Sequence, residues 1–204
     1  MGERTFVLVG FMGTGKSTLG RAVAQVLCRR FTDSDAEIER RAGRSIPEIF
    51  ASAGEVVFRD WETVVAVELG RPHRGVVATG GGILGRAENL AALRAGGVLV
   101  ALTARPTVIL RRVGGAAAAR RRPLLAGGDP LERIRTLLQE RGPLYTQADL
   151  TLDTGDMRRD AAVAALLRLC AECAGTLRRP RVCARDGGEG GGDAGADRSG
   201  PPVL

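Results

Sequence analysis

The stretch "GFMGTGKS", Gly10 to Ser17, sets three glycines around the only lysine among the 30 basic residues of this 204-residue chain. Its spacing matches G-x-x-x-x-G-K-[ST], a loop whose backbone N–H groups turn inward around phosphate oxygens. A helix that starts there adds unpaired N–H groups and its positive dipole end. On this reading Gly13, Thr14, Gly15, Lys16, Ser17 and Thr18 contact a nucleotide, Lys16 reaches the β and γ phosphates, and Ser17 holds Mg²⁺. The loop needs a compact ammonium on a thin stem, which a wide, planar guanidinium cannot replace. That explains one lysine in a chain that otherwise uses arginine.

A second candidate is the acidic pair in "FTDSDAEIE", Phe31 to Glu39. Asp33 and Asp35 are two residues apart at the predicted end of a strand, so in extended chain they share one face and can both point at the phosphate loop. One carboxylate can support Mg²⁺ and the other can accept a hydroxyl proton. Helix N-capping by Asp33, Ser34 or Asp35 is the competing reading. Cys170 and Cys173 form C-x-x-C, but the lone histidine, His73, is distant in sequence, and the pair reads as ordinary core or surface cysteines.

These residues need a scaffold that gathers loops at one edge. Short β-branched runs alternate with longer amphipathic ones, the pattern of an α/β domain with a mostly parallel sheet. Strands are predicted at Thr5–Val9, around Phe31, and at Gly75–Ala78, Val98–Leu102 and Leu150–Leu152. Helices are predicted at Lys16–Arg29, Asp35–Arg41, Pro47–Ser52, Glu55–Leu69, Ala87–Arg94, Pro106–Arg112, Pro130–Gln139 and Arg159–Cys173. Two stretches break the alternation. "GGAAAARRRPLLAGGD", Gly114 to Asp129, is bracketed by glycine pairs and predicts a mobile lid over about 114–128. The tail, 176–204, is dominated by Gly, Pro and charge and is expected to be disordered, leaving one domain over 1–175.

Composition narrows the function classes. No apolar run reaches the roughly 18 residues of a membrane span, and the N-terminus reads as a first strand without a secretory signal, so a cytoplasmic protein with reduced cysteines is expected. The formal net charge is +7, yet the arginines are scattered and aromatics make up only 3%. A nucleic-acid surface needs a basic patch and stacking platforms, so small anionic ligands are the expected partners. A monomer is expected, since no uncommitted apolar helix face stands out.

Six segments in order, "GFMGTGKSTLGRAVA", "FTDSDAEIE", "GEVVFRDWE" (54–62), "ATGGGIL" (78–84), "RRRPLL" (120–125) and "RGPLY" (141–145), resemble the shikimate kinase family from about Thr5 to Cys173. The resemblance implies a P-loop, nucleoside-monophosphate-kinase-like α/β/α fold with a central five-stranded parallel sheet and a lid. It implies phosphoryl transfer from ATP, with one Mg²⁺, to the 3-hydroxyl of shikimate, a step toward chorismate and the aromatic amino acids. By the same resemblance Lys16, Asp35 and Arg122 are catalytic, and Ser17 and Asp33 serve the metal, Asp33 through its water shell. Asp35, Arg59, Gly80, Gly81, Gly82 and Arg141 bind the acid substrate, with Glu62 positioning Arg59 and with Phe50, Phe58, Pro123 and Leu124 as apolar walls. Arg122 comes from the lid, and Arg112 and Arg158 flank the adenine.

Each transfer has a plainer alternative. Arg59 and Glu62 also suit i,i+3 pairing on a helix surface, the three glycines suit a flexible connection, and Arg141 suits a helix C-terminus. Solvated helix positions suit Arg112 and Arg158. The alanine-rich lid departs from the family pattern. Two rival functions are another small-molecule kinase on the same fold, such as a gluconate kinase, and a nucleotide-binding module without catalysis.

Overall fold

The computed structural model describes residues 4–71, 73–119, 122–125 and 128–174. Five strands form one all-parallel sheet: β1 (Thr5–Val9), β2 (Phe31–Asp33), β3 (Val76–Ala78), β4 (Gly97–Thr103) and β5 (Leu150–Asp153), in the order β2-β3-β1-β4-β5. β1 lies at the centre, with Val7 opposite Val77 on one side and Leu99 on the other. Every residue of β1 is buried, as expected of a parallel strand covered on both faces.

Strand alternation divides the core into two clusters. Val7, Val9, Val77, Leu99 and Ala101 face one way and pack against α2 (Ser34–Ala42), α3 (Ile46–Leu69), α4 (Ala87–Gly96), α5 (Pro106–Arg112), α6 (Gly115–Ala119) and α7 (Pro130–Tyr145). Phe6, Leu8, Val76, Val98, Val100 and Leu102 face the other way, against Leu19 and Val23 of α1 (Lys16–Val26) and Ala162, Leu166 and Cys170 of α8 (Arg159–Ala174). Withdrawing a side chain such as Leu99 fully from water contributes about 2 kcal/mol. The result is the expected three-layer sandwich, with all strand carboxyl ends on one edge, where ligands of open α/β sheets collect.

Several boundaries differ from the sequence reading. The two helices expected at 47–52 and 55–69 form one run whose break is Gly54, at φ 80 and ψ 177. Ser45 starts it with a capping box to Glu48. α7 does not end at Gln139 but continues through Gly142 and Pro143, because its last turn buries Tyr145 against the core. In the predicted lid, Gly115–Ala119 is helical and Pro123–Leu125 is a 3₁₀ turn, with Ala119 and Leu125 fully buried. Alanine's high helix propensity accounts for the first. Arg120, Arg121 and positions 126 and 127 of that segment lie outside the described residues, as does the 176–204 tail.

Cys170 and Cys173 are free thiols, and burial pushes the Cys170 pKa up to about 12, which keeps it protonated. No helix among the described residues is long and apolar enough to cross a membrane.

Candidate active site

The turn from β1 into α1 is built for close approach. Gly10 has φ 134, and a Cβ there would lie 2.3 Å from the Leu102 carbonyl oxygen. Gly15, at φ 98, is the N-cap of α1, and no side chain caps its first N–H groups. Those donors can therefore take a phosphate-sized anion at the positive end of the helix. Thr14 donates to the Phe11 carbonyl at 2.8 Å, and Lys16 Nζ donates to the same oxygen at 2.9 Å. Burial lowers the Lys16 pKa to about 8, with Asp35 and Asp33 opposing the shift.

The acidic pair serves two ends at once. Asp33 Oδ1 accepts from the Asp35 N–H at 3.1 Å and caps α2, while its Oδ2 accepts from Ser17 Oγ at 2.7 Å. The capping reading and the metal reading thus fall on different oxygens of one carboxylate. Among the described residues no cluster of three or more acidic, histidine or cysteine side chains could hold a metal. One hydroxyl beside one carboxylate does fit Mg²⁺, which keeps several waters and takes substrate phosphates as its other ligands.

Asp35 lies in the first turn of α2 and points to the glycine turn after β3. Burial raises its pKa to about 6, helped by the charges of Asp33 and Glu62 and opposed by Lys16. Carboxyl groups poised near neutrality are frequent at acid–base sites. A Cβ on Gly80 would lie 2.4 Å from Asp35 Oδ1, and one on Gly82 would lie 2.5 Å from Arg59 Nη1. The triple glycine therefore lets Asp35 and Arg59 press against bare backbone.

Arg59 on α3 is held by two acids of its own helix. Nη1 donates to Glu62 at 2.7 Å, and Nη2 and Nε donate to Glu55 at 2.7 and 3.2 Å. Burial lifts the Glu62 pKa, against the pull of the Arg59 guanidinium. Glu62 is 2% exposed and Glu55 is 64% exposed, so one partner is fixed and the other is easily displaced by a competing carboxylate. Arg141, on the last turn of α7, lies with Nη1 3.6 Å from the Cβ position of Gly81. The i,i+3 pairing of Arg59 and Glu62 is real, and it positions the guanidinium beside Gly82. Phe58 is buried, with Phe50 half-exposed and its ring 4.8 Å away.

A cavity of about 910 Å³ runs along the phosphate loop, lined by Gly13 to Thr18, Asp33, Asp35, Gly80, Gly81, Arg111, Arg112, Arg122, Arg158 and Arg159. Five cationic arginines beside Lys16 suit a polyphosphate. Arg112 does more than line it. Its guanidinium donates to Thr154 Oγ1 at 3.0 Å, to the Thr154 carbonyl at 2.6 Å and to the Gly13 carbonyl at 3.4 Å, tying the loop after β5 to the phosphate loop. Arg59, Glu62, Gly82 and Arg141 lie outside that lining and reach it across the glycine turn. Among the described residues the candidate site thus falls into two adjoining groups, the phosphate-loop cavity and the Arg59–Gly82–Arg141 cluster, which meet at Asp35, Gly80 and Gly81.

Three hydroxyls were missed by sequence reasoning. Ser34 Oγ accepts the Gly80 N–H at 2.8 Å. Thr154 Oγ1 lies 2.9 Å from the Thr14 carbonyl and 3.1 Å from that of Thr103. Tyr145 donates to the Gly81 carbonyl at 2.7 Å. Hydroxyls that bond backbone carry no charge or spacing pattern, although Tyr145 does stand in the "RGPLY" segment.

The sequence model of the shikimate kinase family matches residues 12–171. A shikimate kinase of Desulforudis audaxviator is 49% identical over 152 residues, 74% of this chain and 78% of that one. That of Caldanaerobacter subterraneus subsp. tengcongensis is 46% identical over 153 residues, 75% of this chain and 88% of that one. Among solved structures, the shikimate kinase of Acinetobacter baumannii in complex with shikimate superposes with a TM-score of 0.76 at 39% identity, covering 86% of this chain and 96% of that one. The ordered motifs, the sheet topology and these matches have one reading: the chain belongs to the shikimate kinase family.

Proposed function

We propose that this chain transfers the γ-phosphoryl group of ATP to the 3-hydroxyl of shikimate, giving shikimate 3-phosphate and ADP, on the route to chorismate and the aromatic amino acids. One juxtaposition carries the reading: Asp35 and the glycine turn lie between the phosphate-loop chamber and the guanidiniums of Arg59 and Arg141. Shikimate, which the Acinetobacter complex contains, offers a carboxylate for that pair and hydroxyls for Asp35.

The loop amides and Lys16 hold the β and γ phosphates, and Arg112 with Arg158 flanks the base. Arg59 and Arg141 grip the carboxylate, whose entry displaces the exposed Glu55 from one edge of Arg59 while Glu62 keeps the other edge fixed. Asp35, ionised at neutral pH, aligns the 3-hydroxyl and takes its proton as the phosphoryl group arrives. Arg122, brought by the 114–128 lid, stabilises charge on the transferring group, and closure excludes the water that competes for it. Ser17, with Asp33 acting through water, would hold Mg²⁺, which would supply charge neutralisation for the nucleotide's phosphates. Residues 1–175 form the catalytic unit, and it works as a cytoplasmic monomer, since one chain supplies every group named.

The test is ADP release from MgATP with shikimate or gluconate as acceptor. Turnover with shikimate alone supports the reading. Preference for gluconate, or nucleotide binding without turnover on either, overturns it.

A further inference from the structure

The proposed acid-binding cluster depends on a guanidinium carried by a weak piece of helix. Arg141 sits in the last turn of α7, directly before Gly142 and Pro143. Pro143 has no N–H to give the carbonyl four residues back, and its ring crowds that carbonyl. Gly142 has the poorest helix propensity after proline. A turn of this composition does not hold a long side chain in register by its own ladder, so tethers from outside set where Arg141 stands.

One such tether is in place. Tyr145 lies four residues after Arg141, on the same helix face, and is buried. Its hydroxyl donates to the Gly81 carbonyl at 2.7 Å, a bond between α7 and the glycine turn across 64 residues of chain. Arg141 Nη1 also lies 3.6 Å from the Cβ position of Gly81, as near as any atom outside that turn. The Arg141 guanidinium acts on the same hydroxyl: burial raises the Tyr145 pKa to about 12, and Arg141 opposes the rise through its charge and a hydrogen bond. Donor to Gly81 and partner to Arg141, the phenol connects the backbone beside that cluster to the cation that reads its ligand.

We propose that Tyr145 is a positioning residue for substrate recognition: by anchoring the last turn of α7 to the Gly81 carbonyl, its hydroxyl sets the place and angle at which Arg141 meets the carboxylate of the acid substrate. The proposal rests on the shikimate reading for the ligand's identity, but not for the tether. A ring that only filled space would do as well without its oxygen.

Tyr145→Phe separates these roles, since it keeps the ring and removes the bond. With the full-length chain, KM for shikimate rises about fivefold, the cost of one net hydrogen bond, while kcat and KM for ATP stay within about twofold. With the methyl ester of shikimate, which lacks the anion, the variant and parent differ by less than about twofold. A second measurement needs no substrate: ¹⁵N relaxation of the Arg141 side-chain Nε, assigned by its loss in Arg141→Lys, shows greater mobility in Tyr145→Phe than in the parent. An unchanged KM for shikimate, an equal rise for acid and ester, or unchanged Arg141 relaxation overturns the proposal. If the parent turns over no shikimate, the functional reading fails, and the relaxation result still decides the role of Tyr145.

Discussion

Lys16 and Asp35 are held in a site that penalises both charges, and the penalties have measurable signs. Burial raises the Asp35 pKa from 3.8 to about 6, so the folded protein binds that proton more tightly than the unfolded chain does. Stability from this group is therefore present at low pH and falls as pH rises through about 4 to 6. Asp35→Asn removes the penalty: without ligands, urea unfolding at pH 7.5 shows a gain of about 1–2 kcal/mol that is absent at pH 4. The same variant loses phosphoryl transfer, and the parent's kcat/KM falls below a pH of about 6 as Asp35 protonates. Lys16→Ala also loses turnover, about a thousandfold, but its unfolding free energy changes by less than about 1 kcal/mol, because relief of the buried charge is offset by loss of the hydrogen bond to Phe11 and of the packed stem. Steady-state assays beside chemical denaturation check both. Residues of this kind were legible because phosphate, metal and proton chemistry restrict side-chain type. Ser34, Thr154 and Tyr145 were not, since a hydroxyl satisfying a carbonyl or N–H can stand at any position the fold brings near.

Elements were legible where pattern and capping agree and illegible where packing overrides local preference. β1 and β4 are continuous apolar runs and fall where expected. The break at Gly54 falls between the two helices expected at 47–52 and 55–69, because glycine inside an apolar-periodic run reads as punctuation. The last turn of α7 was not, since Gly142 and Pro143 are local breakers and only the docking of Tyr145 carries the helix past them. The alanines of α6, within the stretch expected to form a lid, make a short helix whose Ala119 is buried. The turn between β3 and α4 shows how an element can be specified by what it lacks. Gly80→Ala places a methyl group 2.4 Å from Asp35 Oδ1, and the carboxylate must turn away. A displaced base loses alignment, so kcat/KM drops about 100-fold, with the thermal midpoint lowered by only a few degrees, on the order of 1 kcal/mol. Equal activity in that variant would show that Asp35 is not placed by the glycine turn.

At the scale of the molecule, the two clusters on opposite sheet faces use side chains between Phe6 and Cys170, and the family match ends at residue 171. Deleting 176–204 therefore leaves kcat and both KM values within about twofold, because none of the buried groups that position the site is removed. Initial-rate measurements on the truncated and full-length chains test this, and a large loss would assign the tail a part in catalysis. The α/β class was readable from alternation and the five-stranded P-loop arrangement from the family resemblance, whereas the meeting of the phosphate loop with the glycine turn was not: it arises from β3 pairing with both β1 and β2.

The seam between the phosphate-loop cavity and the Arg59–Arg141 cluster is bare main chain at Gly80 to Gly82. An inhibitor that drew its contacts from peptide groups along this wall would leave few routes to resistance, since a bulkier residue at Gly80 or Gly82 evicts Asp35 or Arg59 along with the drug. Selection for escape would then be selection against the reaction itself.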